Sequence, residues 1–134
     1  MDKSVEEFVD LKIRYPERIT RFTNLFTPGG EAGVITWLCA QKTSVYATDI
    51  IARFGLTPGR VANIVKGLEA RGYIERRTDS TDLRKMHISP TKAGMAYAEE
   101  VKKQMLEEGR ELFGILGQED GQRLLEILKR YIKQ

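Results

Sequence analysis

Between Phe54 and Pro58 the chain has three residues, Gly55, Leu56 and Thr57, in which to end one helix and begin another. Gly55 closes the first helix readily, because glycine enters the left-handed region without a Cβ penalty. Thr57 is a good N-cap, and Pro58 suits the first helical position, where no backbone N–H is needed. Two helices joined by so tight a turn form a helix-turn-helix. At roughly 100° per residue, Val61, Ile64, Val65 and Leu68 of the second helix (Thr57 to Arg71) share one apolar arc. Arg60 lies outside that arc, and Ala62, Asn63 and Lys66 lie on the far side. Small residues, an amide and cations on one face make a surface that can approach a major groove, meet base edges and neutralise phosphates. Gly59 and Gly67 each cost roughly 1 kcal/mol in a helix interior relative to alanine. Close approach to DNA is the reading for Gly59, and tight packing for Gly67.

The surrounding pattern extends this unit in both directions. Ser4 to Phe26 is helical in periodicity, with Val5, Phe8, Val9, Ile13, Ile19 and Phe22 as apolar positions and a break at Pro16. Thr27 to Gly30 is a turn, Glu31 to Gln41 a short apolar helix, and Thr48 to Phe54 the first helix of the helix-turn-helix. Val45 and Tyr46 can form a minimal strand against a later hairpin. Gly72 ends the second helix, and Tyr73 to Thr78 then reads as a strand. Asp79 to Leu83 reads as a polar turn and Arg84 to Ser89 as the returning strand. Thr91 caps a long helix to about Leu116, followed by a last helix from Gln118 to Gln134.

Charge follows the same geography. The net charge is only +3, but nine Lys or Arg and four Asp or Glu fall between Ile50 and Lys92, leaving thirteen basic and fifteen acidic residues elsewhere. That concentration is the electrostatic footprint expected of a nucleic-acid binder. A length of 134 residues suits one domain and one modest core, and 41% hydrophobic with 31% charged residues is a globular balance. No apolar run approaches the ~20 residues of a membrane span and no secretory pattern opens the chain, so a cytoplasmic protein without membrane contact is expected. A lone cysteine, Cys39, excludes an internal disulfide and is read as buried and inert. A lone histidine, His87, argues against a metal site of the usual kind, and it is expected in a wing strand without switch duty. No nucleophile–base set or phosphate-cradling glycine loop is present, so neither an enzyme nor a bound cofactor is expected.

Several features coincide in order and spacing. Asp49 to Arg77 (DIIARFGLTPGRVANIVKGLEARGYIERR), with Leu68–Glu69 and Gly72-Tyr73-Ile74, resembles the winged helix-turn-helix of the MarR family of transcriptional regulators. Asp79, Asp82 and Arg84 resemble that family's D-x-x-D-x-R wing signature. Ile88 to Gly94 resembles the end of the wing and the start of the dimer helix, and the C-terminal QEDGQRLLEILKRYI its closing helix. Leu83 stands where many members carry a second arginine, and Pro90 replaces a common leucine. The implied fold is mainly α with a small β-hairpin wing. It has a winged helix-turn-helix over about 31–90, with dimerisation helices over about 1–28 and 91–134, all in one domain of 134 residues.

The resemblance implies a homodimer on double-stranded DNA, with the recognition helix in the major groove and Thr57, Pro58, Gly59, Arg60, Ala62, Asn63 and Lys66 at the interface. Arg60 is the candidate for a base or phosphate contact, Asn63 for an adenine edge and Lys66 for phosphate. Thr48 and Thr57 sit at helix N-termini that can bind phosphate. At the wing, Arg84 would enter the minor groove, held by Asp79 or Asp82, while Arg76, Arg77 and Lys85 contact phosphates from the strands. Repression through an inverted-repeat operator is the expectation, with a small-molecule effector as a further partner. Phe22, Phe26, Trp37, Tyr46 and Met95 are the candidates to line an effector pocket, against the alternative that they are core. The rival reading is a winged helix used for protein–protein contact, and a constitutive binder without effector also stays open.

Overall fold

In a computed structural model, residues 2–24 and 29–134 are described. The chain divides into two compact units, Met1–Val101 and Lys102–Gln134. The first unit opens with α1 (Lys3–Arg14) and α2 (Pro16–Asn24), followed by α3 (Gly30–Ala40), α4 (Ala47–Phe54) and α5 (Pro58–Ala70). Two strands, β1 (Ile74–Thr78) and β2 (Met86–Pro90), precede the long α6 (Lys92–Ile132), whose residues up to Val101 belong to the first unit. No helix among the described residues is long and apolar enough to cross a membrane.

Local sequence explains the helix ends. The Asp2 carboxylate accepts the Ser4 N–H to cap α1, and Pro16 starts α2 at the first helical position, as the expected break requires. Thr27 and Pro28 of the expected turn lie outside the described residues. Asp49 accepts the Tyr46 N–H at 2.8 Å and so closes the first turn of α4. That helix starts at Ala47, which places Thr48 inside its first turn. Gly55 ends α4 in the left-handed conformation (φ 61°), as read from the sequence. Thr57 caps α5, its hydroxyl accepting the Arg60 N–H at 3.2 Å.

At the far end of α5, the Gly72 N–H reaches the Glu69 carbonyl and the Tyr73 N–H reaches the Leu68 carbonyl, with Gly72 at φ 76°. These two bonds are a Schellman motif, and they turn the chain directly into β1. The strands pair antiparallel with Ile74 opposite Pro90 and Thr78 opposite Met86. Val45 adds the expected minimal bridge to Ile88.

One core holds this unit together. Val34, Ile35 and Leu38 of α3 meet Ile50 of α4 and Val61, Ile64, Val65 and Leu68 of α5, with Val45, Ile74, Ile88 and Ala98 completing the cluster. The four α5 residues are those of the apolar arc. Burying side chains of this kind contributes roughly 1.5–3 kcal/mol each, enough to fix which face of α5 points outward. Cys39 is half-buried against this core rather than fully enclosed. By contrast α1 buries nothing: Phe8 is 59% and Ile13 73% exposed.

In the second unit, Gly117 leaves helical geometry (φ 80°, ψ 172°) and divides α6 at the boundary expected from the sequence. A side chain on Gly121 would run into the Phe113 ring, so this glycine admits Phe113 across the break.

Candidate nucleic-acid interface

With the apolar arc of α5 inward, Arg60, Ala62, Asn63 and Lys66 are all exposed on the outer face. Thr57, Pro58 and Gly59 at the start of the helix are exposed too, and none of the described residues lies within 4 Å of where a Gly59 side chain would project. Among the described residues, none therefore places a packing demand on Gly59. Gly67 is different. A side chain there would collide with the Glu31 carboxylate, which crosses α5 at this point to meet Arg71 at 2.8 Å. Tight packing was the expectation, and a carboxylate is what occupies the space. Among the described residues, no ion pair engages Arg60, Lys66 or Arg77.

The wing departs from the sequence reading at its strand ends. Its returning strand begins at Met86, not at Arg84, so Arg84 and Lys85 belong to the tip loop. The cause is a set of loop bonds: the Lys85 N–H donates to the Asp82 carbonyl, while the Lys85 carbonyl accepts the Asp79 N–H. The two aspartates have separate tasks. Asp82 holds Arg84, taking its backbone N–H at 3.0 Å and its Nε–H at 3.2 Å. The Arg84 side chain is 91% exposed and projects from the tip. These hydrogen bonds from Arg84 hold the Asp82 carboxyl below the usual range. Asp79 instead organises the loop, accepting from His87 Nε2 (2.8 Å), the Thr81 hydroxyl (2.8 Å) and the Asp82 N–H (3.0 Å). His87 is on a wing strand as expected, and its ring also lies 4.8 Å from that of Tyr46.

Strand alternation separates the two adjacent arginines of β1. Arg76 lies opposite Ile88 and Arg77 opposite His87, on different faces. The Arg76 fork is engaged by Glu69 through two bonds of 2.8 Å, Nε to Oε2 and Nη2 to Oε1. Each partner favours the charged form of the other, so the Glu69 carboxyl is lowered and the Arg76 guanidinium raised. Arg76, expected to contact phosphate, is thus engaged within the protein by Glu69. Lys85 extends over the Tyr46 ring at 5.6 Å.

The candidate effector residues are dispersed. Trp37 packs edge-on against Phe54 (5.8 Å) and borders a hollow of about 430 Å³ with Asp49 and Arg53. Tyr46 borders another, of about 360 Å³, between α5 and the wing, with Thr48, Ala62, Arg76 and Arg84. Phe22 and Met95 are exposed at 41% and 53%, and Phe26 lies outside the described residues. A third hollow, of about 500 Å³, lies behind the wing and is lined by Lys42, Ser44, Arg77, Asp79 and His87.

Three features of the site were missed from sequence. Glu69 was read only as part of the Leu68–Glu69 match and Glu31 not at all, because their partners lie across a turn or on another helix. Thr91 was read only as a cap, which it is, accepting the Gly94 N–H at 3.1 Å. Its hydroxyl also donates to the Gly72 carbonyl at 2.6 Å and so ties the start of α6 to the root of the wing.

Comparison with known proteins agrees with this geometry. Residues 26–85 match the MarR family model. No curated protein sequence matches the chain significantly. Among solved structures, a MarR transcriptional regulator from Methanosarcina mazei Go1 is 16% identical over 98% of this chain and 96% of that one, with a TM-score of 0.72. A MepR mutant from S. aureus, bound to an oligodeoxyribonucleotide, is 19% identical over 99% and 98%, with a TM-score of 0.58. PcaV from Streptomyces coelicolor, in complex with its natural ligand, is 17% identical over 77% and 72%, with a TM-score of 0.63. The matched segment contains the α4–α5 turn, the outward cationic face of α5 and the first strand and tip of the wing, and over it the chain is similar to the MarR family.

Proposed function

We propose that this chain is a sequence-specific DNA-binding transcriptional regulator, acting as a homodimeric repressor on an inverted-repeat operator and released by a small-molecule effector. The observation that carries the reading is the outer face of α5. The burial of Val61, Ile64, Val65 and Leu68 turns Arg60, Asn63 and Lys66 outward together, with Arg84 on the wing of the same unit. An arginine fork can bond a guanine edge and an amide an adenine edge, while Lys66 meets phosphate. Arg84 on the projecting tip suits the negative potential of a narrow minor groove. The oligodeoxyribonucleotide bound to the MepR mutant supports DNA as partner, and the natural ligand of PcaV supports an effector.

Dimerisation follows from unburied apolar surface. Val5, Phe8, Val9 and Ile13 of α1 are 46–73% exposed, and Ile115, Ile127, Tyr131 and Ile132 of α6 are 51–79% exposed. A second copy of the chain is the partner that covers such stripes under two-fold symmetry. Two copies then offer two recognition helices to half-sites one DNA turn apart. Occupying such a site blocks polymerase, which makes repression the default sign.

The test is selection of bound duplexes from a random pool with wild type and Arg60→Ala. Wild type should return an inverted repeat, with affinity falling steeply as salt rises. Arg60→Ala should lose preference at one defined base pair of each half-site. Absence of any salt-dependent duplex binding would reject the reading and favour a protein–protein module.

A further inference from the structure

We infer that Glu69 and Arg76 are positioning residues that set the angle between α5 and the wing, and so determine which minor-groove flanks the protein prefers on either side of its major-groove contacts. The inference deepens the DNA-binding reading above and rests on it. Covalently, the wing is joined to α5 only by the tight turn through Arg71, Gly72 and Tyr73. The hydrogen bonds of that turn fix its backbone, and the buried Ile74 and Ile88 with the Val45–Ile88 bridge seat the base of the ribbon on the core. The Glu69–Arg76 pair closes a second connection, from the last turn of α5 to the middle of β1. Two parallel bonds from a planar fork fix orientation as well as distance, which a lysine or a single bond cannot do.

The reference frame for that orientation is also held. Arg71, the C-cap of α5, pairs with Glu31 of α3 at 2.8 Å, so the end of the recognition helix is tied to the helix behind it and to the strand ahead. Stability does not explain the arrangement. Both side chains of the Glu69–Arg76 pair are more than a third exposed, and surface pairs of this kind add little to folding. Nor does phosphate binding, because a carboxylate on the recognition helix repels phosphates and here withdraws an arginine from them. What remains is geometry. Arg84 sits on the far end of the ribbon that Arg76 anchors. A small rotation at β1 therefore displaces the Arg84 fork relative to Arg60.

The two roles of Arg76 give opposite signs on substitution. As a positioning pair, Glu69→Gln and Arg76→Lys should each bind the selected duplex about tenfold more weakly, the scale of one lost base-pair preference. The loss should appear only when the preferred flanks are present, with discrimination at the α5-read positions intact. The exchange Glu69→Arg with Arg76→Glu should restore flank preference. A readout without DNA is the backbone amide order parameters of Ser80 to Lys85, which should fall in both single variants and recover in the exchange. Tighter binding by Glu69→Gln with a steeper salt dependence would overturn the inference, since it would show Arg76 released to phosphate. Equal weakening across all flanks, or unchanged wing order, would overturn it as well. Wild type that ignores duplex DNA removes the specificity role together with the proposed function, whereas an intact wild-type preference with wild-type-like variants removes this inference alone.

Discussion

His87 Nε2 stands 2.8 Å from Asp79 Oδ1, and this pair lies at the base of the wing loop that carries Arg84. The hydrogen bond from His87 is the largest cause of a lowered Asp79 pKa, followed by the Thr81 hydroxyl, and together with the Asp82 N–H they bring it from 3.8 to about 2 against partial burial. A carboxylate with a depressed pKa stabilises the folded state fully above its ordinary value and loses that contribution as pH falls through the folded value. Wing stability should therefore decline between about pH 4 and pH 2, and Asp79→Asn should lack that component. Amide chemical shifts of the wing, followed over this range in both proteins, provide the check. A wild-type wing indifferent to pH down to 2 would contradict the assignment.

The Tyr73 carbonyl occupies the space that a side chain on Gly94 would need. The obstacle is backbone, held in place by the Thr91 N–H at 3.0 Å and by the Schellman turn, so it cannot swing aside. Gly94→Ala should destabilise the fold by roughly 1–3 kcal/mol through overpacking, despite alanine's better helix propensity. Chemical denaturation measures this, and an unchanged midpoint would mean that α6 starts elsewhere. Gly67→Ala makes a useful contrast, because there the obstacle is the end of a flexible side chain. Its main effect should be displacement of Glu31 from Arg71 and not unfolding.

Arg84 and Asp82 should separate charge from orientation at the wing tip. Arg84→Ala removes the fork and should weaken duplex binding, with preference lost mainly in A·T-rich flanks. Asp82→Asn leaves the charge but releases the fork from its carboxylate, and should blunt flank preference while total affinity falls less. Competition binding with duplexes differing only in the flanks distinguishes the two. Equal behaviour on all flanks would assign Arg84 to phosphate alone.

The exposed stripe on α1 offers a test of assembly. Phe8→Glu and Ile13→Glu place charge where apolar surface is 59% and 73% exposed, so neither should harm the core of the first unit. Both should shift sedimentation toward monomer at micromolar protein, and duplex affinity should drop by at least tenfold because one half-site is lost. Monomeric wild type would reject the dimer outright.

The geometry of α5 was legible in the sequence because it is local. The Thr57 cap, the Pro58 start, the 3.6-residue apolar arc and the Gly72 stop depend on neighbours within a few positions, and each recurs in the folded chain. The Gly55 turn and the break between Leu116 and Gln118 were equally plain, since a left-handed or non-helical residue has few alternatives to glycine. The wing's second strand was misjudged by two residues, because Arg84 and Lys85 alternate like a strand while loop hydrogen bonds claim them.

Side-chain partnership is where periodicity lost its reach. Glu69 and Arg76 are seven residues apart on elements of different period, separated by a turn, and no spacing rule relates them. Asp79 and Asp82 look equivalent in a D-x-x-D-x-R string, yet pleat and register put His87 beside one and leave Arg84 to the other. Backbone propensity and apolar patterning act over short stretches of chain, so the order of residues alone settled the helices, the turn between them and the face that reads outward. Ion pairing and side-chain contact act through space, so the choice of which arginine projects from the wing and which stays bound to α5 was made only once the chain had folded.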